Sequence, residues 1–146
     1  SNQPHTKLHS QYDHAAFSLS NKIAGREPVL LNPADAAERG ISEGDVVRVS
    51  NARGACLAGA RLDEGVMRGV AVIATGAWFD PDGVPGESRL DKHGNPNVLT
   101  RDAGTSRLTQ GCSAHTTLVE VARHEGPLPP VTAHEPPHFE VLPGNA

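Results

Sequence analysis

Aromatic side chains are scarce in this chain: one Trp, one Tyr and three Phe, 3% of 146 residues. A core made from that inventory has to be aliphatic, built from Val, Leu, Ile and Ala. Cysteine is nearly absent as well. Cys56 and Cys112 are the only two, no CxxC occurs, and two free buried thiols are the simpler reading. The net charge is −4 and no run of Lys or Arg occurs, which argues against a nucleic-acid or membrane-surface partner, since both recruit basic patches. No apolar run approaches the ~18 residues of a membrane span, and no apolar segment opens the chain as an export signal would. No internal repeat is visible.

What is abundant is punctuation. Gly and Pro number 15 and 12 and are scattered through the chain, a pattern of loop-rich β proteins rather than helical bundles. The length fits one domain, and a chain of this size buries about 68–70% of its unfolded surface. Residues 1–27 are polar. "PVLLNP" then reads as a short buried strand. "NPADAAERGI" is a complete short helix: Asn32 can accept from the first free N–H groups, Pro33 lacks the N–H that would be orphaned, and Gly40 can adopt the left-handed backbone that ends it. Val47 and Val49 alternate with Val46 and Arg48, "NARG" supplies a turn, and residues 57–62 are small or apolar on both faces, as in a barrel wall. "EGVMRG" is a second turn before "VAVIA", and "TTLVEVA" is the last strand. Residues 76–97 form a long Gly/Pro/Asp-rich loop holding the one Trp, and loops beyond about 12–15 residues are usually functional or disordered. Five prolines in residues 127–137 exclude regular structure there and predict a tail along the surface.

Several chemistries can be weighed directly. His5, His9 and His14 do not make a metal site on spacing: zinc needs three or four convergent ligands, and Pro4 disfavours the helix on which His5 and His9 would share a face. A Ser-His-Asp set lacks any GxSxG context, and no phosphate-loop motif is present. Three polar strings remain: "LHSQ" at 8–11, "NVLT" at 97–100 and "GTSRLTQG" at 104–111. Each joins an apolar anchor to side chains that both donate and accept hydrogen bonds. Gly104 and Gly111 let the backbone approach a ligand, and Thr105 and Ser106 offer N–H and hydroxyl donors. These groups suit a flat heterocycle with N–H and C=O edges, or a pyrophosphate; equally, they suit the capping of turns at a barrel rim.

"LHSQ", "GREPVLLNPADAAERGISEGDVVRVSNARG", "GAWFDP", "NPNVLT" and "GTSRLTQGCSAHTTLVE" together resemble the C-terminal domain of molybdenum oxidoreductases of the dimethyl sulfoxide reductase type. The trimethylamine N-oxide and biotin sulfoxide reductases are the most similar branch, from about Leu8 to about Val121. "DAAERGISEGDVVRV" is shared by many double-psi barrels and speaks to fold, whereas the three polar strings in this order are more specific. The resemblance implies a mainly β domain with short helices, a six-stranded double-psi β-barrel of the aspartate-decarboxylase-like kind. It would cover residues 1–125, with a Pro-rich tail over 126–146, packed on the surface or mobile. The domain would bind the pterin and phosphate portions of bis(molybdopterin guanine dinucleotide), which carries molybdenum.

The cofactor-binding residues implied are His9, Ser10, Gln11, Asn97 and Gln110, with Thr105 and Ser106 in the third string. Trp78 and Phe79 stand where the family lines its funnel or pterin, or else plug the barrel end. No catalytic or metal-ligating residue is expected in this chain, which reads as a piece of a longer protein without turnover of its own. The parent would reduce an N- or S-oxide by oxygen-atom transfer to Mo(IV). Its partners would be the remaining domains of the polypeptide and an electron donor, a c-type cytochrome or a reductase, with the piece itself monomeric and not inserted in a membrane. A bacterial, periplasmic setting is expected, with the cytoplasm as the alternative. Two rival readings are a stand-alone barrel that binds a protein or peptide, and a small His-rich metal-binding protein.

Overall fold

A computed structural model describes residues 3–83, 90–111 and 113–136, and one strand of small residues organises it. In β3 (Ala55–Leu62, ACLAGARL) the first six residues are all buried. Ala, Cys and Gly at these positions let other layers come close on both faces. At Gly59 a Cβ would overlap the side chain of Ile23, so the backbone itself is the packing surface there.

Two strands flank it. β1 (Pro28–Leu31) runs parallel to β3, in register from Pro28↔Gly59 to Leu31↔Leu62. β2 (Val46–Ser50) runs antiparallel, from Val46↔Gly59 to Ser50↔Ala55. As the sequence alternation predicts, Val47 and Val49 are fully buried and Arg48 is exposed. β4 (Ala71–Ile73) pairs antiparallel with β1, β6 (Glu120–Arg123) antiparallel with β2, and the two residues of β5 (Leu90–Asp91) parallel with Ala55 and Cys56. The sheet follows the order β4–β1–β3–β2–β6, with β5 on β3. Val72 and Ile73 of β4 and Val49 of β2, separated along that order by β1 and β3, line one cavity of about 510 Å³, so the sheet curls toward itself. The architecture is mostly β with short helices, as expected; among the described residues the pairing order is an open path rather than a closed ring.

The core between the layers is aliphatic: Val29, Leu31, Ile41, Val47, Val49, Ala58, Ala60 and Leu99. The Cys56 thiol is buried among them and unpaired, and burial beside Asp91 pushes its pKa up to about 12. Cys112 lies outside the described residues. α2 (Pro33–Glu38) is built as predicted, with Asn32 Oδ1 accepting from the Ala34 N–H at 2.9 Å and Gly40 at φ +63° after the last turn.

Three features differ from the sequence reading. The polar first segment contains a helix, α1 (Ala16–Asn21), that no pattern announces: it buries Ser18 and turns Phe17 and Leu19 outward, the reverse of an amphipathic face. The last strand is shorter than "TTLVEVA", because β2 offers only four partners and Leu118 stays exposed. The long loop carries β5 and a 3-10 turn, Pro96–Val98; its residues 84–89 lie outside the described part. Among the described residues no helix is long and apolar enough to cross a membrane. Residues 124–136 have no helix or strand and run back to the N-terminal segment. Arg26 Nη2 donates to Pro129 O at 2.6 Å, and the N–H and hydroxyl of Thr132 both donate to Asp80 at 2.7 Å. Residues 137–146 of the expected tail lie outside the described residues.

Candidate functional site

Where the chain leaves β4 it meets the turn at residues 8–11. That turn is closed by the Gln11 N–H donating to Leu8 O at 2.9 Å. His9 adopts φ +51° and Tyr12 φ +64°, left-handed conformations that cost non-glycine residues about 1–3 kcal/mol each and gather at functional sites. Gly76, at φ +101°, lies so close that any Cβ would run into the His9 carbonyl. From Gly76 the chain passes to Trp78, whose indole Nε1 donates to Ser10 O at 2.8 Å. Opposite, the 3-10 turn is capped by Asn95, which accepts the Asn97 N–H at 2.9 Å.

The result is a cavity of about 550 Å³ lined by His9, Ser10, Trp78, Phe79 and Asn97, with Gln3, Thr75 and Asn95. Five of the nine sequence-predicted site residues therefore share one space. Thr75 lines both this cavity and the one of about 510 Å³, and its Oγ1 is buried with no hydrogen-bond partner among the described residues, an expensive state for a hydroxyl. Polar edges and an orphaned hydroxyl fit a heterocycle with N–H and C=O groups better than an apolar ligand.

The other four residues stand elsewhere. Gln11 is exposed and does not line the cavity. Thr105, Ser106 and Gln110 belong to an exposed loop that bonds to itself: Thr105 N–H donates to Gly111 O at 3.0 Å, and Ser106 Oγ accepts the N–H groups of Leu108 and Thr109 at 3.2 and 2.9 Å. Gln110 Nε2 reaches back to Ser106 O at 3.4 Å. In this structure the loop's polar groups do cap a turn.

Behind the cavity lies a layer of buried charge that the sequence did not announce. Lys7 donates to Asp13 and to Glu27, each at 2.6 Å, and Lys22 to the same two carboxylates at 2.9 and 3.0 Å. All four side chains are at most 2% exposed. Asp13 Oδ2 also accepts the Trp78 N–H at 3.1 Å and a bond from His134 Nε2 at 3.0 Å. Burial alone would raise the Asp13 pKa, but the bonds from Lys7, Lys22 and His134 outweigh it and hold the carboxyl well below the usual range. Asp80 is held low in the same sense, burial being outweighed by Thr132 and Lys92. Asp91 Oδ1 gathers the N–H groups of His93, Gly94 and Asn95 at 2.7–3.0 Å, which sets the turn that carries Asn97. His93 is fully buried and its Nδ1 meets Trp78 O at 2.9 Å; burial, then the charge of Lys22, lowers its pKa, so the ring is neutral.

Asp13, His93 and His134 bring their ligand atoms within 4.8 Å of one another, the spacing of a metal site. Asp13 already accepts four donors, two of them ammonium groups, and a divalent cation there would face both lysines. The four charges form an ionic base behind the cavity. "DKHGN" holds the one local signal that could have revealed part of it, an Asp followed by free N–H groups at a Gly turn.

A curled, mixed β sheet of small residues, whose loops hold a polar cavity over buried ion pairs, defines a ligand-binding β domain. Its fold is that of a domain in acetylene hydratase from Pelobacter acetylenicus, with a TM-score of 0.66 over 85% of this chain and 18% of that one, at 17% identity. The chain belongs to the molydopterin dinucleotide binding domain family, whose model matches residues 1–118. It is 50% identical over 135 residues to a trimethylamine-N-oxide reductase of Salmonella typhi, covering 92% of this chain and 16% of the relative. Over 126 residues it is 52% identical to a biotin sulfoxide reductase of Cereibacter sphaeroides, covering 86% and 16%. A dimethyl sulfoxide/trimethylamine N-oxide reductase of Rhodobacter capsulatus is 44% identical over 134 residues, covering 92% and 16%. The chain thus spans about a sixth of the length of these relatives. A stand-alone barrel for a protein partner finds no support in this company.

Proposed function

We propose that this chain is the part of a bacterial molybdenum oxidoreductase that holds the pterin and phosphate portions of bis(molybdopterin guanine dinucleotide). The observation that carries it is the single cavity shared by His9, Ser10, Trp78, Phe79 and Asn97, with the orphaned hydroxyl of Thr75. When bound, the metal and its dithiolenes supply the two-electron chemistry, and the protein supplies orientation and electrostatics. The Asn97 side chain has no hydrogen bond to a described residue and projects from a turn fixed by Asp91 and Asn95, so its amide is free to donate and accept at a pterin edge. Ser10 adds a hydroxyl and Trp78 a flat apolar face. One neutral hydrogen bond contributes about 0.5–1.5 kcal/mol, so several act together. Gln11, Thr105, Ser106 and Gln110, exposed here, form a second contact set for the phosphates or for the second pterin.

Residues 1–125 make up the binding domain and the segment after 126 its tail; parallel pairs within an otherwise antiparallel sheet support a double-psi arrangement. The parent enzyme reduces N- or S-oxides such as trimethylamine N-oxide, dimethyl sulfoxide or biotin sulfoxide. It draws electrons from a c-type cytochrome or a reductase, in the periplasm rather than the cytoplasm. The test is Asn97→Ala in the full-length natural protein, read by molybdenum content and by guanine nucleotide released with acid. Wild type should give about two nucleotides per metal. The variant should lose metal and nucleotide with its thermal midpoint unchanged; full retention of both would overturn the assignment.

A further inference from the structure

The family model ends at residue 118, and residues 124–136 beyond β6 have neither helix nor strand, yet they reach the cavity wall. His134 Nε2 lies 3.0 Å from Asp13 Oδ2. Asp13 is ionised, and a carboxylate only accepts, so the Nε2 of His134 carries the proton and donates it. The same oxygen accepts the Trp78 N–H, and the Trp78 indole donates to Ser10 O. Three hydrogen bonds therefore lead from residue 134 to the turn that carries His9 and Ser10. Two residues earlier, Thr132 binds Asp80 through both its N–H and its hydroxyl, and Lys92 Nζ binds that hydroxyl at 3.0 Å. Trp78 and Phe79 thus sit between two fastenings, His134 on one side and Thr132 on the other. The His134 ring also stands edge-on to Trp78, with centroids 5.2 Å apart at 74°.

We propose that the segment 129–134 is a strap belonging to the binding pocket, with Thr132 and His134 as positioning residues that hold Trp78, Phe79 and the 8–11 turn in place. The chemistry of the segment suits that role. Pro127, Pro129 and Pro130 limit its freedom before it docks, so little entropy is lost on fastening it. Its anchors are hydrogen bonds to buried carboxylates rather than apolar burial, which fixes position as well as proximity. Only the identity of the pocket's ligand rests on the function proposed above; the positioning role does not.

Amide hydrogen exchange of the full-length natural protein tests it, comparing wild type with His134→Ala, Thr132→Val and the exposed tail variant Glu135→Ala as control. Peptides covering residues 8–15 and 75–80 should exchange at least tenfold faster in the first two variants and be unchanged in the control. Peptides of β2 and β3 should not change in any of them. His134→Gln, which keeps a side-chain donor, should restore protection of 75–80. Unchanged exchange at both cavity segments, acceleration spread evenly into β2 and β3, or no recovery with Gln would each overturn the strap. Molybdenum content is measured on the same samples. A fall that parallels the loosened wall upholds the proposal as stated, whereas a loosened wall with full metal upholds the strap and overturns the cofactor reading.

Discussion

The turn at residues 8–11 and the loop at residues 104–111 are both short, polar and exposed, yet they are held by opposite means. The turn is flanked by Lys7 and Asp13, two fully buried charges that tie it to Lys22, Glu27, Trp78 and His134. The loop bonds to itself and projects Leu108 almost entirely into solvent. One is tied to distant buried charges; the other keeps its shape by local caps. Of the two, the turn that lines the cavity is the one held by long-range bonds, and such preorganisation carries geometric precision.

Asp13→Ala is the most direct way to break that contrast. It leaves Lys7 and Lys22 buried with Glu27 alone, and should cost about 3–5 kcal/mol in urea unfolding. A loss below about 1 kcal/mol would mean that the ionic base adds nothing to the wall. Gly76→Ala should come next, at roughly 2–3 kcal/mol, because it combines a positive φ with a collision against backbone. The matching change in the loop, Gly104→Ala, meets the end of the Gln110 side chain, which can swing away, and should stay within about 0.5 kcal/mol. Equal losses for the two glycines would erase the distinction.

Acid should act on the base alone, since the loop's one charged residue is Arg107. His93 titrates at 6.5 in an unfolded chain and lower in the folded one. Lowering the pH through that range protonates the unfolded chain first, so stability falls below about 6.5. Asp13 and Asp80, both held under their ordinary 3.8, add a second fall as the pH drops below that value. Above about 6.5 these groups leave stability flat. Urea midpoints between pH 8 and pH 3 should show both steps, and His93→Asn should remove only the first.

Much of the frame was legible before any coordinates. α2 follows from Asn32, Pro33 and Gly40, and β1 to β4 from alternation and turns, because these depend on neighbours in the chain. Five cavity residues were also legible through the family's strings. The ionic base was not, since burying a charge depends on a partner far away: Lys7 and Glu27 are 20 residues apart, and Asp13 and His134 are 121 apart. α1 escaped for a different reason, its apolar side chains facing outward where no periodic signal forms. The third polar string suits a ligand or a turn cap on sequence alone, and in the structure its groups cap the exposed loop.

The pairing of β2 with β6 also sets an order of events at the ribosome. Ser50 pairs with Glu120 and Val47 with Arg123, so the outer edge of β2 waits for some seventy residues to be made. At about 5–20 residues per second that is roughly 4–14 s with one strand edge open. The strap emerges later still. The pocket wall is therefore fastened only after residue 134 has been made, long after the turn at residues 8–11 and the segment 75–79 that it holds.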